Sequence, residues 1–290
     1  MAFTRKAVRC VGWGWLVGVL VSGAPVLGAL VLGVGASGAA EAATGFLPHR
    51  AVYDLSLAKF RSNGSVTSAE GKLEFEWDDI CTAWTISQRT RVRMTTTEGQ
   101  VFDFGWTLNA LEGRDGRSYR FFIRRLNIDG SNEDLRGKAR LGDAGEGGVA
   151  TFSAPEQREV PLPKGTLFPT AHSLRLIEAA RNGELPLWVT VFDGSGDTGL
   201  FGINAALSET LPAEAPNRFE SPLLRGQVSW RLHLAYFGMD DTVSEPEHEQ
   251  ALRLYANGVV DEMLLDYGDF VLRAELGVLE ALPKLACKAE

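Results

Sequence analysis

Histidine and cysteine are scarce in this chain. Four histidines, at positions 49, 172, 233 and 248, are scattered over 290 residues, and none stands in an H-x-x-x-H or H-E-x-x-H pair. No zinc or other metal site is therefore expected, and no cofactor is called for. Three cysteines, Cys10, Cys81 and Cys287, form no C-x-x-C, which removes a redox-catalytic dithiol. Positive charge is in deficit as well: 29 Lys and Arg stand against 37 Asp and Glu, a net charge of −8. Phosphate backbones and anionic bilayers are held by Lys and Arg, so neither a nucleic acid nor an acidic membrane surface is an expected partner. There is no internal repeat, and no linker long enough to divide the chain.

Apolar residues, by contrast, crowd one end. Arg5, Lys6 and Arg9 form a basic start, and no acidic residue precedes Glu41. Between Val11 and Ala40 the chain is mostly Gly, Ala, Val and Leu, and Ala40-Glu41-Ala42 supplies an A-x-A cleavage site. This is the layout of a secretory signal peptide over residues 1–42, which makes residues 43–290 one exported domain without a membrane-spanning segment. The run is also long enough to serve as a retained anchor. Cleavage removes three basic residues and one acidic one, leaving a net charge of −10. It also removes Cys10. Cys81 and Cys287 then remain either as one disulfide or as two free buried thiols.

Period-2 alternation dominates residues 43–290, which predicts strands over His49 to Phe60, Lys72 to Trp77, Thr85 to Met94 and Val101 to Leu111. Gln88, Thr90 and Arg91 read as the start of a polar face. Asp129-Gly130 and Asn257-Gly258 are the strongest hairpin signals, suited to type I′ turns. Prolines 155, 161 and 163 confine any strand between Thr151 and Leu162 to an edge. A single helix is predicted from Ala171 to Arg181, with Pro169-Thr170 as its cap and Asn182-Gly183 as its stop. The stretch Leu211 to Leu223, with three prolines, reads as a loop.

Several of these segments resemble the EipB-type cell envelope integrity proteins of Gram-negative periplasms. The residues that carry the likeness are His49-Arg50-Ala51-Val52-Tyr53-Asp54-Leu55, Cys81-Thr82-Ala83-Trp84, Pro163 to His172, Phe192-Asp193-Gly194-Ser195 and the late Cys287. The resemblance implies a mainly β fold: a large antiparallel sheet wound into an open, spiral β-barrel with one packed α-helix, similar to LolA, LolB and RseB. It also implies a Cys81–Cys287 disulfide, expected to act as the clasp that closes an open barrel from end to start. No active site comes with it. What it implies about function is a non-enzymatic scaffold, or a binder of a lipid, a lipopeptide or an envelope protein.

Two kinds of site are suggested by the residues. A wide barrel leaves an apolar trough, and Trp77, Phe104 and Trp106 are the candidates to line it. His172 with Ser195 or Asp193 is the alternative, a hydrolase site; it lacks a G-x-S-x-G elbow, because Asp193 and Asp197 stand where the outer glycines belong. Asp193-Gly194-Ser195-Gly196-Asp197 has turn residues but not the further acidic ligands of a calcium loop. Glu245, Glu247, His248 and Glu249 read as a solvated charge run at a proline loop.

Overall fold

The structure, a computed structural model, describes residues 46–60, 66–127, 130–143, 146–239 and 245–287. The leader read at residues 1–42 and Asp129 of the Asp129-Gly130 turn lie outside them. No helix among the described residues is long and apolar enough to cross a membrane.

The strands are β1 (His49–Phe60), β2 (Val66–Asp79), β3 (Ala83–Thr96), β4 (Val101–Gly113), β5 (Ser118–Leu126), β6 (Asn132–Leu141), β7 (Gly148–Ala154) and β8 (Arg158–Leu162). After helix α1 (Pro169–Asn182) come β9 (Leu187–Phe192), β10 (Leu200–Leu211), β11 (Ser229–Gly238), β12 (His248–Tyr255), β13 (Val260–Asp266) and β14 (Phe270–Ala281). All belong to one 14-stranded sheet, ordered β8-β7-β6-β5-β4-β3-β2-β1-β14-β13-β12-β11-β10-β9. Every ladder is antiparallel. The fold is thus a nearly closed barrel with one seam, between β8 and β9.

Alternation sets the two faces of each strand. In β3, Ile86, Thr90, Val92 and Met94 are buried while Arg89, Arg91 and Arg93 are not. Gln88 and Thr90 stay in phase with Ile86, so they continue the inward face and do not begin a polar one. Inside, Tyr119, Phe121, Phe152, Phe168 and Phe192 pack ring against ring beneath the seam. A second cluster joins Ala51, Tyr53 and Leu55 of β1 to Leu272, Ala274 and Leu276 of β14.

The sheet order corrects the expected role of the disulfide. Cys81 and Cys287 are bonded, with Cα atoms 5.5 Å apart. However, the start and the end of the barrel are already joined by the β1–β14 ladder, from His49↔Ala281 to Phe60↔Phe270. The disulfide ties the irregular tail after β14 to the β2–β3 turn, and does not close the seam. The seam is closed elsewhere. After β8 the chain runs beside β9, where Leu167 N–H donates to Thr190 O at 2.8 Å and Phe192 N–H donates to Leu167 O at 2.9 Å. Helix α1 then packs against β9.

The Asn257-Gly258 turn is not type I′, which would need positive φ at both residues. Gly258 alone has it, at 87°. Tyr255 N–H donates to Val259 O and Gly258 N–H donates to Tyr255 O, so the loop has three residues and ends on a left-handed glycine. Phe46 lies 2.5 Å from where a Cβ on Gly258 would sit, so the position is closed to other residues on both counts.

The helix cap also differs from expectation. Pro169 occupies the first turn, where its missing N–H costs nothing. Phe168 stands at the cap and supplies no side-chain acceptor. The orphan N–H groups of Thr170 and Ala171 donate instead to the two carboxylate oxygens of Glu112, at 2.7 and 2.9 Å. Glu112 lies at the end of β4, 58 residues before Thr170, so a tertiary contact does the work of a local cap. At the other end Gly183 takes φ 73°, as its position predicts.

Burial pushes the Glu112 carboxyl up to about 7, against the pull of its two N–H donors. Its folded value lies above the ordinary 4.5, so the folded state holds more protons between pH 4.5 and 7. The stability this group contributes is then fully present below about pH 4.5 and is lost as pH rises through about 7. Urea midpoints measured from pH 5 to pH 8 are expected to fall less with pH in Glu112→Gln than in the unaltered protein. Parallel curves for the two would show that this carboxyl does not titrate as described.

Candidate functional site

A cavity of about 310 Å³ lies inside the barrel. Its walls come from both halves of the sheet and from the helix. One wall is Leu73, Phe75 and Trp77 of β2 with Ile86 and Gln88 of β3 and Trp106 and Leu108 of β4. Facing it are Leu234 and Tyr236 of β11, Gln250, Leu252 and Leu254 of β12, and Met263 and Leu265 of β13. Pro169, Thr170, His172, Ser173 and Leu176 of α1 also line it, as do His49, Tyr53, Gly258, Val260 and Tyr267. Each strand contributes residues two apart, because only alternate side chains point inward. The volume falls at the lower end of the roughly 300–1,000 Å³ range of small-molecule sites. No Asp, Glu, Lys or Arg stands in the wall.

Two of the three expected lining residues are there. Trp77 and Trp106 belong to the wall and Phe104 does not. Two residues along a strand is a step of about 6.7 Å, which carries Phe104 past the chamber. It packs instead against Trp106 and Phe270, with ring centroids 6.5 and 6.3 Å away.

The polar atoms of the wall are not all satisfied. Trp77 is 4 % exposed and its indole Nε1 has no hydrogen-bond partner among the described residues. His172 is 6 % exposed and its Nε2 also has none. Burial lowers the His172 pKa to about 4, so the ring is neutral near pH 7. Sequence reasoning missed its position here: a histidine in a first helical turn carries no signal of which face the helix buries.

No hydrogen bond among the described residues joins His172 to Ser195 or Asp193 into the alternative hydrolase site. Asp193 and Ser195 do meet, through a 2.7 Å bond in which Ser195 N–H donates to Asp193 Oδ1. That is a local turn in a loop laid over Phe121, whose ring is 2.6 Å from where a Cβ on Gly194 would be. Among the described contacts, no hydrogen bond reaches His172 from either residue. A serine nucleophile needs a base within about 2.6–3.2 Å, and Asp193 offers Ser195 no imidazole. No cluster of three or more His, Cys, Asp or Glu side chains fit to hold a metal ion occurs among the described residues.

His248 is likewise not part of a solvated charge run. It is the first residue of β12 and stacks on Tyr236, with ring centroids 4.1 Å apart. Burial lowers its pKa to about 4. Its neighbours in sequence are acidic, but its position in the ladder, opposite Tyr236, turns it inward.

The architecture has known counterparts. A crystal structure of a beta-barrel-like protein from Brucella abortus, described as a domain of unknown function, superposes with a TM-score of 0.73 at 27 % sequence identity. The match covers 82 % of this chain and 99 % of that one. The cell envelope integrity protein EipB of Brucella abortus (strain 2308) is 30 % identical over 257 residues, covering 85 % of this chain and 89 % of the relative. The sequence profile of the EipB-like family matches residues 40–283, nearly the whole described barrel. The chain belongs to the EipB-like family.

Proposed function

We propose that this protein is an exported, non-catalytic factor of the cell envelope that encloses one apolar molecule in its barrel. The observation that carries the reading is the chamber: about 310 Å³, walled mostly by aliphatic and aromatic side chains with a few neutral polar ones, and without Asp, Glu, Lys or Arg in its lining. Apolar surface held open inside a barrel is costly unless something covers it. A lipid, or the acyl portion of a lipopeptide, has the chemistry to do so. The Brucella relative is named for cell envelope integrity, and the same role is proposed here. In this reading residues 1–42 are the export signal and residues 43–290 work in the periplasm.

Native mass spectrometry of the protein purified from an envelope fraction tests both halves at once. The expected species begins at Ala43 and carries one copy of a small apolar molecule that organic solvent extracts. A mass starting at Met1 would overturn the cleaved signal. An apo mass, together with no uptake of any acyl compound, would overturn the enclosed molecule and leave a scaffold.

A further inference from the structure

Charge is not spread evenly over the outside of the barrel. The chain as a whole carries −8, yet the outward positions of β5 and β6 hold five exposed cations, Arg120, Arg124, Arg136, Lys138 and Arg140, against one carboxylate, Asp134. Asp134 is already engaged: Arg124 donates to its two oxygens at 2.7 and 2.9 Å, and Arg136 donates to one of them at 3.3 Å. Arg120, Lys138 and Arg140 form no ion pair among the described residues. Elsewhere the ladders match opposite signs, with Arg93 across from Asp103 and Arg124 across from Asp134. Arg120, by contrast, stands directly across from Lys138. Like charges so placed are destabilising, and an anion set between them relieves that cost.

Apolar side chains are set among these cations. Leu111 of β4 stands across from Arg120 and Val149 of β7 across from Arg140, and the two are 36 % and 45 % exposed. Phe122 is half-buried between Arg124 and Arg136, with the Arg136 guanidinium 4.7 Å over its ring. Arg120, Phe122, Arg136 and Lys138 line one open groove with the hydroxyl-bearing Thr151 and Ser153. A compact anion would use the cations and leave Leu111 and Val149 in water. An anionic bilayer meets both: its head groups pair with the guanidinium and ammonium groups, and the apolar side chains enter the interface. The width also fits a surface, since β4 to β7 span about 14 Å at the usual strand spacing. The net negative charge does not oppose this. Glu70, Glu74 and Glu76 lie exposed on β2. That strand is three spacings from β5, about 14 Å, beyond the roughly 10 Å over which charges act in 0.1 M salt.

We infer that the outer face of β4 to β7 docks on an anionic bilayer surface, with Arg120, Arg136, Lys138 and Arg140 on the head groups and Leu111 and Val149 in the interface. The inference is independent of the chamber and stands or falls apart from it.

Co-sedimentation with lipid vesicles of the protein purified from an envelope fraction tests it. Vesicles of phosphatidylcholine with about one-third phosphatidylglycerol are expected to bind at least about tenfold more tightly than phosphatidylcholine alone. That preference should vanish as sodium chloride approaches 1 M, where screening shortens to about 3 Å. Arg120→Glu together with Lys138→Glu should cut the preference at least about fivefold. Both side chains are exposed and unpaired among the described residues, so the fold does not rest on them. Arg225→Glu together with Lys284→Glu alters the net charge equally at exposed positions off this face, and should bind as the unaltered protein does. Equal binding to the two kinds of vesicle would overturn the inference. An equal loss in the Arg225 and Lys284 pair would do the same, since net charge and not this face would then be responsible. Displacement by inorganic phosphate beyond that by chloride at the same ionic strength would also overturn it, making the groove a site for a compact anion.

Discussion

Cys287→Ser is expected to lower the melting temperature by on the order of 10 °C in oxidising buffer, with little change in far-ultraviolet circular dichroism. The bond closes a separation of 206 residues. Loop-closure entropy of that length corresponds to about 5 kcal/mol in the unfolded chain, and engineered or strained cases deliver less. For a domain of this size each kcal/mol moves the midpoint by roughly 2–4 °C. The strand content should survive, because β1 and β14 are paired along their length without the bond. Reductant added to the unaltered protein should reproduce the shift. Equal melting with and without reductant would show that the cross-link does not restrain the unfolded chain.

Cys81 carries a second, smaller effect. Its φ is 72°, and it is the one non-glycine residue with positive φ among those described. A left-handed L-residue costs roughly 1–2 kcal/mol, here offset by local bonds. Cys81 N–H donates to Asp79 Oδ1 at 2.9 Å, and Arg114 Nη1 lies 2.9 Å from Asp79 Oδ2. Cys81→Gly should therefore melt above Cys81→Ser although both lack the disulfide. The reverse order would mean that the backbone at this turn is unstrained.

Arg253→Met is the other large expected loss, about 3–5 kcal/mol in urea unfolding. Arg253 and Asp261 are each 2 % exposed, with Nη1 and Oδ2 3.7 Å apart. The guanidinium also donates from Nε to Ser229 Oγ and from Nη1 to Pro216 O, both at 3.0 Å. The Tyr255 hydroxyl donates to Asp261 Oδ2 at 2.7 Å. Leu252 and Leu254 line the chamber, so Arg253 and Tyr255 take the outer face of β12, where the 212–228 loop covers them. Removing the cation leaves Asp261 buried and unpaired and frees the loop. Arg253→Lys keeps a charge without the planar fork and should recover only part of the loss. The paired change Arg253→Met with Asp261→Leu should be milder than Arg253→Met alone, because it removes both charges. A loss below about 1 kcal/mol in Arg253→Met would mean that the pair is not desolvated as described.

Local patterns gave the strands, the single helix and the edge position of the proline-bearing β8. These depend on side-chain period and on what proline and glycine permit over a few residues, so they are written in adjacent positions. Most of the 212–228 loop, from Pro212 to Leu223, was legible as a loop, but not as one that covers buried charge. Nothing near Pro212, Pro216 or Pro222 points to Arg253, which reaches Pro216 O across 37 positions. Glu112 is a similar case, since a glutamate at the end of a strand reads as solvated until the helix is docked above it.

For the candidate site the division is sharper. Trp77, Phe104 and Trp106 share an inward phase, and alternation alone selects them. Which of them face open space depends on where along the barrel axis the helix and the opposite strands leave a gap, and that excluded Phe104.

By itself, then, the sequence determined a mainly β chain with one helix, acidic, poor in metal ligands and without a C-x-x-C pair. Those properties are sums over residues or repeats of short period. The tertiary structure alone decided that the sheet closes β1 onto β14, that the seam lies between β8 and β9, and that His172 joins Trp77 around one chamber. Those are long-range facts, fixed by how 14 strands coil around a shared interior, and no local pattern encodes them.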